Sequence, residues 1–249
     1  MKIAIGLRTC GTVYDYWGIK RIVDADKPTI MFTCLNSLIK SIKASKHDIV
    51  LSIHDDNSTN EQRQQMEKMV SDLNCKFYST EAKGNFKSQY HWIKEQDCDY
   101  VYMVEDDYLH IESAIDDMID MCEYMKVFWP GEYAIFPMNH PQRYHSPEAM
   151  NPSYVAKGPK GYWRSAFHTT STFFMSKKAA DDNDDILRQQ AYMWEIDGAP
   201  EDRNINKLWQ KQEVRLMYPI ESLAWHLSDE WNRDPFGPWE KVWSENETR

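Results

Sequence analysis

Four stretches of the chain predict short strands: Lys2 to Leu7, Asp48 to His54, Lys76 to Thr80 and Tyr100 to Val104. The last is β-branched, aromatic or apolar with no polar alternation, which suits burial on both faces of a sheet. Helical spacing fills the intervals. From Thr29, Met31, Cys34, Leu35, Leu38 and Ile42 recur every three or four positions, with Pro28 just before them. A second helix runs through Leu73, with Asn57, Ser58 or Asn60 as its cap, and a third opens at Lys83-Gly84-Asn85 and ends near Glu95. Ile111, Ile115, Met118, Ile119, Cys122 and Met125 give a fourth helix one apolar face. Strands alternating with helices predict βαβ units, hence an α/β fold with a doubly wound, mostly parallel sheet and helices on both faces. Right-handed crossovers then bring the strand ends to one common edge.

After Trp129-Pro130-Gly131 the pattern changes. A strand is expected over Tyr133 to Pro137, and then Asn139 to Phe167 shows no period, as an acceptor-binding or lid region does. Thr169 to Met175 predicts a strand, and a helix follows from Ser176 or Lys177 to Gln190, with Asp181 to Asp185 as a solvated face. Ile205, Leu208 and Trp209 mark a helix over Arg203 to Gln212, and Val214 to Tyr218 a strand. From Ser228 onward the tail is polar and Trp-rich without an apolar period, so it is expected to wrap the surface or cover a cleft.

Composition narrows the function classes. The 249 residues are 42% apolar and 27% charged, ordinary for one soluble domain, and the net charge of -10 argues against a nucleic-acid binder. Five scattered cysteines without CxxC spacing point to neither a disulfide framework nor a zinc site but to reduced thiols. No apolar run approaches the ~20 residues of a membrane span, and the polar stretch after Met1 to Cys10 comes too early for a signal peptide, so a cytoplasmic location is expected.

The candidate chemistry lies at the predicted strand ends. Glu105, Asp106 and Asp107 follow Val104, and three adjacent carboxylates call for a cation, simplest as a hard divalent ion; a solvated acidic turn is the alternative. Ligands of open α/β sheets bind at the carboxyl ends of strands, which favours the ion. Asp55 and Asp56 end the second strand, where a carboxylate can accept from ribose hydroxyls. Arg8 and Thr9 end the first, where they can meet a phosphate or base or form a surface ion pair. Gly84 and Asn85 open a helix whose N-terminus favours anions. Glu201 and Asp202 follow Pro200, either as a helix start or as working acids.

Taken together, VYMVEDDYLH, HDDNST with Asn57 for the usual glycine, APED at Ala199 to Asp202 and Trp225-His226 resemble the GT-A (Rossmann-like) fold of nucleotide-sugar glycosyltransferases, especially the family-2-like group with an EDD-type DXD motif. The resemblance implies Asp107 and His226 as metal ligands, Mn2+ suiting the imidazole better than Mg2+. Asp106 would touch ribose or metal-bound water, with Glu105 accepting hydrogen bonds behind it. Asp202 would be the general base of an inverting transfer, and Glu201 would position the acceptor. The implied donor is a nucleoside-diphosphate sugar, UDP-linked in most EDD-bearing relatives, and the acceptor a glycan, lipid-linked or protein hydroxyl. Residues 1–110 would form the donor half, 111–227 the acceptor and catalytic half, and 228–249 the tail. A sugar nucleotidyltransferase and a noncatalytic glycan-binding or scaffold domain are the rival readings.

Overall fold

The computed structural model describes residues 1–12, 21–80, 85–141, 144, 152–169, 171–193, 202–211, 213–227 and 237–248, with backbone only at 202 and 203. Its strands, in chain order, are β1 (Lys2–Cys10), β2 (Asp48–Asp56), β3 (Cys75–Thr80), β4 (Tyr100–Glu105), β5 (Tyr108–His110), β6 (Glu132–Ile135), β7 (Val155–Lys157), β8 (Tyr162–Ala166), β9 (Phe173–Ser176), β10 (Val214–Pro219) and β11 (Ala224–His226). Its helices are α1 (Lys27–Ala44), α2 (Asn60–Met69), α3 (Asn85–Lys94), α4 (Ala114–Phe128), α5 (Lys177–Asp182), α6 (Asp184–Ala191), α7 (Asp202–Trp209) and α8 (Trp239–Asn246).

Nine strands form one sheet in the order β3-β2-β1-β4-β9-β6-β10-β8-β7, and β5 and β11 pair in a separate ribbon. Strands β3, β2, β1 and β4 are mutually parallel, as the βαβ pattern requires, and only β9 and β8 run against the other seven. Helices cover both faces. On one, α1 touches α2, α4 and α8; on the other, α3 packs on β1 and β2 and meets α6, which meets α7. Ile3, Ala4, Ile5 and the run Tyr100 to Val104 are all buried, which explains why neither stretch alternates.

Several expectations change. Strand β1 continues to Cys10, so Arg8 and Thr9 lie within it rather than opening a loop, because their polar groups find partners inside the protein. Helix α2 is capped by Thr59, whose hydroxyl accepts from Gln62 N–H while the Gln62 side chain accepts from Thr59 N–H, not by Asn57, Ser58 or Asn60. The helix expected over Ser176 to Gln190 is broken at Asn183, whose amide donates to the Ala179 carbonyl at 2.9 Å. Part of the irregular stretch forms the β7-β8 pair that extends the sheet. The tail contains α8, with Trp239 and Val242 packed among Ile30, Cys34, Leu109, Trp225 and Leu227 in a second small core. An eight-residue helix offers too few turns for its apolar positions to stand out from the sequence. No helix among the described residues is long and apolar enough to cross a membrane.

Two histidines are built into the interior as neutral rings. His54 sits between the Ser52 and Ser88 hydroxyls, each at 2.8 Å, and stacks on Tyr78. His110 Nε2 lies 2.8 Å from the Tyr102 hydroxyl. Burial, helped by the Arg8 charge, lowers His54 from 6.5 to about 3, and burial lowers His110 to about 4. The unfolded chain therefore takes up protons that the native state refuses, so the stability these rings allow is present above their ordinary pKa and lost as pH falls below it. Urea unfolding followed from about pH 7 to about pH 5 is expected to show stability falling by up to about 1.4 kcal/mol per pH unit for each ring, and His54→Gln should remove about half that slope.

Candidate functional site

Parallel register places the carboxyl ends of β1, β2 and β4 along one edge. Thr9 lies opposite Asp55, Cys10 opposite Asp56, and Arg8 opposite Glu105. Beyond β2 the chain turns sharply at Asn57, which has a φ of 60°. That left-handed conformation favours glycine, and asparagine is among the few other residues that adopt it readily. Asp55 is fully buried, accepting from Thr9 Oγ1 at 2.9 Å, Ser58 Oγ and Arg63 Nε at 2.7 Å. Both its oxygens are engaged, so it braces the turn instead of facing a ribose, as expected of it from sequence. Asp56 is buried beside it.

The three acids at the end of β4 each meet a basic side chain from a different part of the chain. Glu105 pairs with Arg8 at 2.8 Å and accepts from the Thr172 hydroxyl at 3.1 Å. Asp106 accepts from Lys27 Nζ at 2.5 Å on one oxygen and from Cys10 N–H at 2.9 Å on the other. Asp107 lies 3.2 Å from His226 Nε2. The β5-β11 ribbon sets this last pair: Tyr108 lies opposite His226 and stacks on its ring at 4.7 Å, while Leu227 N–H donates to the Asp107 carbonyl. Burial raises Asp107, but His226 and then Lys27 and Arg21 outweigh it and hold its carboxyl well below the usual range. Burial lowers Lys27, yet Asp106 and Asp107 push it up to about 12.

These partners correct two further expectations. Asp106 is buried and turns one oxygen to Lys27 and the other to the Cys10 N–H, rather than to a ribose or a metal-bound water. Arg8 points inward to Glu105 and lies over the Phe86 ring at 4.9 Å, rather than reaching a phosphate or forming a surface ion pair. Asn85 opens α3 next to Phe86, accepting from the Phe86 N–H. Gly84 and Glu201 lie outside the described residues, as does the side chain of Asp202, whose backbone begins α7. A chain of hydrogen bonds joins that helix to the acids: Asn206 Oδ1 accepts from Thr169 N–H, Thr169 Oγ1 donates to the Thr172 carbonyl, and Thr172 Oγ1 donates to Glu105.

Sequence reasoning missed Lys27, Arg21, Thr169, Thr172 and Asn206. Only Lys27 left a trace: it is the first residue of α1, where the helix dipole disfavours a cation, and such a breach of a local rule marks a tertiary partner. Among the described residues no three histidine, cysteine or acidic side chains converge on one point, and the pair that could hold a metal at this edge is Asp107 with His226. Asp107 and His226 fit that role. One hard oxygen and one imidazole suit Mn2+, and donors on adjacent coordination positions at ~2.1 Å lie about 3 Å apart, close to their separation.

No protein-family model and no curated protein matches the chain. Solved structures do. The glycosyltransferase GlyE of Streptococcus pneumoniae TIGR4 superposes at 12% identity over 99% of this chain and 60% of its own, with a TM-score of 0.50. S. aureus TarS superposes at 14% identity over 88% of this chain and 36% of its own, also at 0.50. The chain has the GT-A fold. It spans 60% of GlyE and 36% of TarS, so what it shares with them is this sheet and its helices. In this sheet the acids at the end of β4 stand at the carboxyl edge of the parallel strands, where open α/β sheets bind their ligands.

The Asn57 turn is tested by substitution. Asn57→Gly should leave stability within about 0.5 kcal/mol, whereas Asn57→Val, β-branched at positive φ, should lose about 1–2 kcal/mol in urea unfolding.

Proposed function

We propose that the protein transfers a sugar from a nucleoside-diphosphate sugar, UDP-linked, to a hydroxyl of a glycan, lipid-linked or protein acceptor, with inversion at the anomeric carbon. The observation that carries this reading is the partly exposed Asp107–His226 pair at the carboxyl edge of a GT-A sheet, beside Glu105 and Asp106, which pair with the lasting cations Arg8 and Lys27. A doubly charged diphosphate cannot approach an acidic edge unaided. Asp107 and His226 would hold Mn2+, which when bound neutralises the diphosphate.

The remaining work falls to the chain itself. Asp56, the Asn57 turn and Asn85 border the region assigned to the nucleoside, within the donor half at residues 1–110. Asp202, at the start of α7, takes the proton from the acceptor hydroxyl as its oxygen bonds to the anomeric carbon. The bond from that carbon to the diphosphate oxygen breaks, and the diphosphate leaves with the electron pair. Glu201 orients the acceptor. The link from α7 through Thr169 and Thr172 to Glu105 supports this assignment, because it ties the base-bearing helix to the donor edge.

Thermal unfolding with UDP, GDP, dTDP or CMP, each with Mn2+, Mg2+ or EDTA, tests the reading. One diphosphate is expected to raise the melting temperature with Mn2+ and not with EDTA, since a ligand at 100 times its Kd adds roughly 2.7 kcal/mol. Asp107→Ala should lose that shift. Asp202→Asn should keep it and lose turnover by ~100-fold or more. A protein stabilised by none of these nucleotides would favour the noncatalytic glycan-binding reading.

A further inference from the structure

Lys27 and Asp106 form a closed unit beside the open one. Their side chains are 9% and 8% exposed, the ammonium sits 2.5 Å from Asp106 Oδ1, and the Cys10 N–H takes Oδ2. The next residue, Asp107, is 16% exposed and faces His226. Two neighbouring carboxylates are thus divided, one held by a buried lysine and one facing the partly exposed His226 ring. The affinity of an oxygen site for a divalent ion rises with the number of carboxylates that reach it, so this division sets how strongly the edge binds a cation.

We propose that Lys27 is the residue that determines cation affinity at this edge: by occupying Asp106 it restricts the ion to Asp107 and His226, a site weak by itself and completed only by the oxygens of a donor diphosphate. This rests on the reading of Asp107 and His226 as metal ligands. The donor and its ion then bind together, and the protein does not retain a divalent ion between turnovers. Lys27 cannot be displaced by a change of protonation at ordinary pH, because its ammonium lies near two carboxylates and is pushed up to about 12 after burial has lowered it. A lysine serving only to hold α1 to the turn between β4 and β5 would destabilise the protein when replaced and would leave ion affinity no higher.

Mn2+ binding to the donor-free protein, measured by electron paramagnetic resonance of the free ion, separates these cases without an activity assay. Lys27→Met is expected to bind Mn2+ at least about tenfold more tightly than the wild type, because the freed Asp106 adds a second carboxylate. Asp106→Asn is expected to stay within about threefold of the wild type, because that carboxylate is not a ligand while Lys27 holds it. Folded Lys27→Met with unchanged or weaker affinity would overturn the proposal. So would an Asp106→Asn variant weakened about tenfold, a result that decides the matter even if Lys27→Met does not fold. Asp107→Ala distinguishes the two levels of argument. Loss of Mn2+ binding in Asp107→Ala with no gain in Lys27→Met removes the role of Lys27 alone, whereas binding indifferent to Asp107 removes the metal site and this proposal with it.

Discussion

Mutual repulsion among Glu105, Asp106 and Asp107 is the constraint on which the architecture of this edge depends. Three adjacent carboxylates taken largely out of water cannot remain ionised unless positive charge is brought to each. Arg8 arrives from β1, Lys27 from the start of α1 and His226 from β11, while Thr172 comes from the approach to β9. Three segments far apart in sequence are held to one short stretch by basic side chains, and a fourth by a hydroxyl. The GT-A sheet supplies the platform, and the acids determine what gathers on it.

Such contacts are poor sources of net stability, since desolvating each ion costs several kcal/mol that the attraction at best offsets. Stability resides in the apolar layers on the two sheet faces and in the small core of Ile30, Leu109, Trp225 and Trp239. The ion pairs contribute geometry instead. The small core fixes the β5-β11 ribbon from behind, with Leu109 opposite Trp225, and the same ribbon presents Asp107 and His226 at its other end. Packing and charge therefore constrain the same few residues from two sides.

The turn after β2 shows how the local conformation and the buried acid before it depend on each other. Asn57 takes the left-handed conformation that a glycine would, and the acid before it is anchored by Thr9, Ser58 and Arg63. The acid that looks like a ligand from the sequence is part of the scaffold that makes the turn.

Periodicity and strand-end chemistry were enough to determine a mostly parallel sheet of strands alternating with helices and the acids at its edge, because these depend on local patterns of burial and on rules of crossover that act over a few dozen residues, whereas the pairing of Asp107 with His226 was only implied by the resemblance to GT-A glycosyltransferases. The short strands β7, β8 and β11 and the tail helix were not legible, since three to eight residues carry too little periodicity to stand apart from a loop. Nor did residue type reveal which acids are closed and which is open. Asp55, Asp106 and Asp107 are chemically alike, and only the tertiary structure distinguishes them, by bringing Arg63 to the first, Lys27 to the second and His226 to the third. A carboxylate's role is set by the charge that reaches it through space, and that distance is not written along the chain.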